Sequence, residues 1–87
     1  MANIKSAEKR MRQNELLRQR NRSNRTRMRN AVKSLREAIA EGNAEKAQEL
    51  LPGTLGVIDS TASKGVIHRN TASRTKSRLS RAVAGLS

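Results

Sequence analysis

Arginine and lysine side chains recur at helical spacing through the first third of the sequence, and their chemistry is the binding of anions. The first basic stripe follows steps of four, three, four, four and three residues, which align it along one side of a helix: Arg18, Arg22, Arg25, Arg29, Lys33 and Arg36. The second basic stripe lies roughly 140° away around the same helix: Lys5, Lys9, Arg12, Arg20 and Arg27. Since arginine outnumbers lysine thirteen to six in the chain, planar guanidinium groups suited to bidentate phosphate binding dominate.

The charge is divided unevenly along the 87 residues. Residues 1–36 have twelve basic and two acidic side chains, residues 37–63 have one and five, and residues 64–87 have six and none. Two basic segments therefore flank an acidic one, and the formal net charge is +12. A surplus of this size attracts polyanions and works against a compact chain by self-repulsion. We interpret the chain as a nucleic-acid-binding protein.

Other kinds of site find little support in the composition. The chain has no Cys and a single His, His68, so thiolate and His-cluster metal sites are excluded and no cofactor is expected. His68 has no evident nucleophile and orienting acid beside it, which argues against an enzyme. The absence of Phe, Tyr and Trp argues against modules that stack splayed bases. No apolar run reaches ten residues, so we expect no membrane span or secretion signal and a cytoplasmic location.

The first basic segment reads as one long helix over residues 6–41. Ser6 is the expected N-cap with Glu8 in the first turn, and Gly42–Asn43 is the expected break before the next helix. An apolar stripe occupies only the second half of this helix: Met28, Val32, Leu35 and Ile39. Such a helix would be roughly 50 Å long, whereas a compact chain of this size is about 25 Å across. Residues 1–27 should therefore project beyond a bundle formed by residues 28–87.

Two further helices complete the predicted fold. The second has an apolar stripe that stays in register across Pro52 and its neighbouring glycines, which favours one kinked helix ending at Gly65 over two separate elements: Ala47, Leu51, Leu55, Ile58 and Ala62. The third buries one side and exposes arginines on the other: Ala72, Leu79, Val83 and Leu86. We predict a single all-α domain, an antiparallel three-helix bundle with a long projecting N-terminal helix.

Three segments of the sequence resemble a known family. They are MANIKSAEKR at 1–10, NRSNRTRMRN at 21–30 and, most specifically, ASKGVIHRNTASRTKSRLS at 62–80. Together they are similar, essentially end to end, to the bacterial small-subunit ribosomal protein S20 family. The resemblance implies a three-helix bundle that binds 16S ribosomal RNA directly, in the 5′ domain with the long helix of the 3′ minor domain nearby, and that supports assembly of the 30S subunit.

The resemblance also implies the residues that contact RNA. No homo-oligomer, small-molecule substrate or membrane partner is expected beside the ribosomal RNA. Carried over by position, the expected RNA-binding residues are Lys5, Ser6, Lys9, Arg10, Arg12, Arg18, Asn21, Arg22, Ser23, Arg25, Arg29, Lys64, His68, Arg69, Asn70, Arg74, Lys76 and Arg78.

Two other functions compete on the residues alone. A DNA-compacting protein or basic-region transcription factor also places a basic helix on nucleic acid, but that interpretation calls for a sustained heptad zipper, which the chain lacks. A membrane-surface amphipathic helix calls for large apolar side chains opposite the basic ones, and residues 1–27 contain few.

Overall fold

The computed structural model describes residues 2–86, with side chains described from Ser6 onward. These residues form three helices joined by short connections, and no strand. They are α1 (Ala2–Ala40), α2 (Ala44–Ser63) and α3 (Arg69–Ala84). Short connections reverse the chain twice, so α2 runs back along α1 and α3 runs back along α2. The predicted all-α fold with a long first helix is confirmed.

Helix α1 begins earlier than the sequence predicts. It starts at Ala2, so the expected N-cap Ser6 lies inside the helix and Glu8 is not in its first turn. Its 39 residues give a length of about 58 Å at 1.5 Å per residue. The molecule accordingly measures 65 × 21 × 15 Å, with a radius of gyration of 17.7 Å. A compact chain of 87 residues would have a radius of gyration of about 12 Å, so α1 sets the overall shape.

Glycine in the left-handed conformation ends both α1 and α2. Gly42 has a φ of 72° and Gly65 a φ of 76°. Glycine adopts a positive φ readily, whereas a residue with a Cβ is sterically strained there. At the second end, the Gly65 amide donates to the Ala62 carbonyl at 2.9 Å and the Val66 amide to the Thr61 carbonyl at 3.2 Å. The same pair of bonds closes α1. This is the Schellman arrangement, which satisfies carbonyls that a helix end would otherwise leave unbonded.

The apolar core lies between the second half of α1 and the other two helices. Leu35 and Ile58 are the largest completely buried side chains. Around them the core consists of small and medium apolar residues: Val32, Ala38, Ala47, Ala72, Leu79 and Val83. Met28 is the first residue of α1 to pack against this cluster. No aromatic ring is available to the core, and its hydrophobic stabilisation depends on close packing of these modest side chains.

Helix α2 is continuous through Pro52, as the in-register stripe predicts. Ala47 and Ile58 are buried as predicted. The other three residues of the predicted stripe are only half-buried, and Thr54 and Thr61 are buried in addition. Each threonine hydroxyl donates to the carbonyl four residues earlier, at 2.9 Å and 2.7 Å respectively. These local bonds satisfy the hydroxyls and let them occupy the apolar interior.

The helices do not pack equally. Helix α2 contacts both of the others extensively, whereas α1 and α3 touch at few points. An open groove remains between α1 and α3, with Ile67 and Thr75 on one wall and α1 on the other. The connection between α2 and α3 therefore lies beside the middle of α1.

Candidate nucleic-acid interface

The first half of α1 is exposed on all sides. Every described side chain from Ser6 to Arg20 is exposed, including the apolar ones: Met11 at 70%, Leu16 at 61% and Leu17 at 53%. No tertiary contact therefore occupies this segment, and its cations face outward in every direction. A helix without an apolar contact surface derives little stability from the bundle.

The two basic stripes lie on different sides of α1, as the spacing predicts. The C-terminal part of the first stripe faces α3 and lines the groove between the two helices: Arg25, Arg29, Lys33 and Arg36. Arg18 and Arg22 continue that stripe beyond the bundle. Arg20 and Arg27 belong to the second stripe and are exposed on the far side. The cations can therefore engage two separate anionic surfaces.

A shallow polar groove of about 530 Å³ connects the stripes on the side of α1 away from the core. Arg22 of the first stripe and Arg27 of the second line it, with amide and hydroxyl side chains between them: Gln19, Ser23, Thr26 and Asn30. Such groups donate to phosphate and ribose oxygens. Gln19, Thr26, Arg27 and Asn30 are absent from the residues implied by the resemblance, although the second basic stripe already includes Arg27 and the helical period places the other three on the same surface.

His68 caps the third helix. Its Nδ1 accepts a hydrogen bond from the Asn70 amide at 3.0 Å, which satisfies one of the donors at the helix start. An acceptor Nδ1 implies the tautomer with its proton on Nε2. Because the side chain is exposed, that N–H can donate to an external acceptor. His68 thus caps α3 while its second ring nitrogen faces solvent.

Helix α3 contributes a smaller basic surface. Arg74, Arg78 and Arg81 are exposed, opposite the buried residues of that helix. Lys76 differs from them, since its Nζ lies 2.7 Å from a carboxylate oxygen of Asp59 and its side chain is only 34% exposed. An exposed ion pair of this kind contributes at most about 1 kcal/mol. Lys76 must give up or share that carboxylate to bind phosphate.

The predicted binding residues fall into two groups. One follows α1, and the other follows the α2–α3 connection and α3. Among their described side chains, Asn21 and Lys76 are half-buried and the others are exposed. Lys5 lies within α1, but its side chain is outside the described residues. The arrangement is an extended surface rather than a pocket.

Residues 2–86 contain no helix long and apolar enough to cross a membrane. The same residues contain no group of three or more His, Cys, Asp or Glu side chains placed to hold a metal ion.

Known proteins resemble this chain over nearly its whole length. A model of the family described as Ribosomal protein S20 matches residues 2–84. The small ribosomal subunit protein bS20 of Syntrophobacter fumaroxidans is 58% identical over 86 residues, which cover 99% of this chain and 100% of that protein. The proteins of the same name from Mycobacteroides abscessus and Nitrosomonas eutropha are 53% and 50% identical, over 95% and 99% of this chain and 96% and 99% of their own lengths.

Proposed function

The chain belongs to the ribosomal protein S20 family, and from that premise we propose that it is a component of the small ribosomal subunit that binds 16S ribosomal RNA directly. The proposed site is the 5′ domain, close to the long helix of the 3′ minor domain. Membership makes the chain a structural protein of the cytoplasmic ribosome rather than an enzyme. It also favours this function over DNA compaction or membrane binding.

The observation that carries the proposal is the two-sided basic surface of α1 beyond the bundle. A helix with side chains is about 10–12 Å in diameter, so cations roughly 140° apart around it can reach two RNA backbones at once. Arg22 and Arg27 represent the two sides and line a common polar groove. We infer that α1 inserts between two RNA segments and neutralises the repulsion between them, which supports subunit assembly.

The second group of residues, on the α2–α3 connection and α3, would bind the same RNA beside α1. Lys64, His68 and Arg69 are exposed at the turn into α3, and that turn lies next to α1 through the groove they share. Contacts there would fix the bundle relative to the inserted helix. We therefore propose one continuous interface, running along α1 and across the α2–α3 connection.

Recognition would depend on RNA shape more than on base sequence. The chain has no aromatic side chain on which several bases could stack, and guanidinium groups bind phosphates of any sequence. Specificity then arises where the RNA fold brings two backbones to the spacing that α1 can bridge. Opening a helical junction of the RNA should consequently weaken binding more than scrambling its unpaired bases.

Hydroxyl-radical footprinting on 16S ribosomal RNA tests this proposal. The full chain should protect two backbone segments that are separate in the RNA sequence, both in the 5′ domain or beside the 3′ minor helix. A variant with Arg20→Ala and Arg27→Ala should lose one protected segment and keep the other. Arg18→Ala with Arg22→Ala is the matched variant and should lose the opposite one. Protection of a single segment, lost equally in both variants, would contradict insertion between two backbones.

A further inference from the structure

The groove between α1 and α3 combines an apolar floor with a cationic wall. Its volume is about 720 Å³, within the range of small-molecule pockets, about 300–1,000 Å³. Met28, Val32 and Ile67 supply its apolar surface, and Thr75 lines it from α3. The side of the groove on α1 consists of the C-terminal part of the first basic stripe: Arg25, Arg29, Lys33 and Arg36.

We propose that this groove binds one unstacked nucleotide of the RNA. A nucleotide has a flat base with two apolar faces and a phosphate on either side of its sugar, and the groove offers a counterpart to each. The base would lie against Met28 and Ile67, and the flanking phosphates would bind Arg25 and Arg29. This inference rests on the proposed function, and it adds a base contact to an interface otherwise made with RNA backbone.

Charge favours a nucleotide over an apolar protein segment in this groove. Four cations line it against one carboxylate, that of Glu37. An apolar peptide would remove water from these cations without supplying anions, which is costly. A nucleotide covers the floor and brings phosphate to the wall, and an arginine guanidinium can also stack on the face of a base.

The groove would accept more than one kind of base. Met28, Val32 and Ile67 have apolar side chains, and such a floor contacts the face of a base rather than its hydrogen-bonding edges. Apolar and stacking contacts of this kind tolerate different bases. The position of the nucleotide in the RNA fold, beside the segment bound by the first basic stripe, would select which one enters.

Fluorescence of 2-aminopurine tests the proposal with the full chain and a 5′-domain fragment of 16S ribosomal RNA. The probe replaces the unpaired nucleotides one at a time, and it brightens when a base leaves the RNA stack. We expect brightening at one position upon binding of the wild-type chain. Thr75→Glu should place a carboxylate beside the proposed phosphate contacts, abolish that signal and weaken binding about tenfold more than the control variant does. Ser77→Glu is the matched control with the same added charge, because Ser77 is exposed and lines a different groove, between α2 and α3; it should keep the brightening.

Each other outcome has a distinct meaning. Tight binding of the RNA with no brightening at any position would overturn the nucleotide pocket and leave the proposed function standing. Failure of the wild-type chain to bind the RNA would instead overturn the proposed function. A photo-crosslinker at Thr75 in the assembled small subunit should join to RNA, and a crosslink to protein alone would show that an apolar peptide occupies the groove.

Discussion

The two halves of α1 differ in what surrounds them, although the first basic stripe runs through both. From Met28 onward the helix packs on the core through Val32, Leu35 and Ala38, while residues 6–20 are exposed throughout. The second half is thus stabilised by burial of apolar side chains, and the first half has only its backbone bonds and local pairs. One helix therefore combines a segment that packs in the bundle with a segment that is exposed, and the boundary is Met28, where its apolar stripe begins.

The pairs in the first half show how little local support it has. Arg18 and Glu15 approach to 3.9 Å with side chains 76% and 56% exposed, and Gln19 donates to Glu15 at 3.5 Å. Exposed pairs one turn apart contribute about 0.2–0.5 kcal/mol each. The many cations along this segment repel one another in the absence of RNA. We predict that RNA binding and the stability of α1 are coupled in its first half, whereas burial in the core stabilises its second half without RNA.

The largest expected effect is the dependence of RNA affinity on salt. If α1 neutralises about six to eight phosphates, log K against log salt should have a slope of about −5 to −7 through counterion release. Arg22→Ala, in the binding half, should flatten the slope by about one unit with little change in which RNA is preferred. Filter-binding titrations over a range of salt concentrations measure this. A shallow wild-type slope would mean that phosphate contacts do not dominate the affinity.

The next comparison tests folding with matched leucine substitutions in the two halves. Leu35→Ala should lower the free energy of unfolding by about 2–5 kcal/mol, because Leu35 is completely buried. Leu17→Ala should change it by less than about 0.5 kcal/mol, because Leu17 is 53% exposed. Urea denaturation followed by circular dichroism gives both values. Similar losses in the two variants would show that the first half packs on the bundle.

Amide hydrogen exchange should separate the halves residue by residue. In the free chain, residues 6–24 should exchange at rates close to those of an unstructured peptide, since only Asn21 and Asn24 among them are even half-buried and little burial offsets their conformational entropy. Residues 30–40 should be protected. Addition of 16S ribosomal RNA should slow exchange in the first half much more than in the second. Strong protection of residues 6–24 in the free chain would contradict the coupling between RNA binding and helix stability.

The smallest expected effect is on the stability of the bundle alone, and it comes from a substitution in α2. Gly56→Ala should raise the free energy of unfolding by about 0.5–1 kcal/mol, because Gly56 is helical and a Cβ there meets nothing within 4 Å. Gly65→Ala is the contrasting variant and should destabilise, since its φ is 76°. Thermal unfolding measures both. Gly56→Ala should leave exchange in residues 6–24 unchanged, and increased protection there would show that the bundle stabilises the projecting half.

Patterns local in the sequence predict much of this molecule. Helices α1 and α2 end at Gly42 and Gly65 as predicted, because glycine adopts a positive φ at both positions. Asn43 caps α2, and its side chain accepts a hydrogen bond from the Lys46 amide at 3.1 Å. The basic stripes follow from 3.6 residues per turn and need no tertiary information. The start of α1 was predicted wrongly, because Ser6 has the chemistry of a cap while the helical pattern continues to Ala2.

Features that depend on how the helices pack could not be predicted from the sequence pattern. Periodicity in α2 does not reveal that Thr54 and Thr61 take buried positions, since that depends on the angle at which α2 meets its neighbours. The ion pair of Lys76 with Asp59 joins residues far apart in the chain. The groove opens because α1 and α3 both pack on α2 and scarcely on each other. Charge and helical phase are properties of the chain itself, whereas the space between two helices exists only once a third has positioned them.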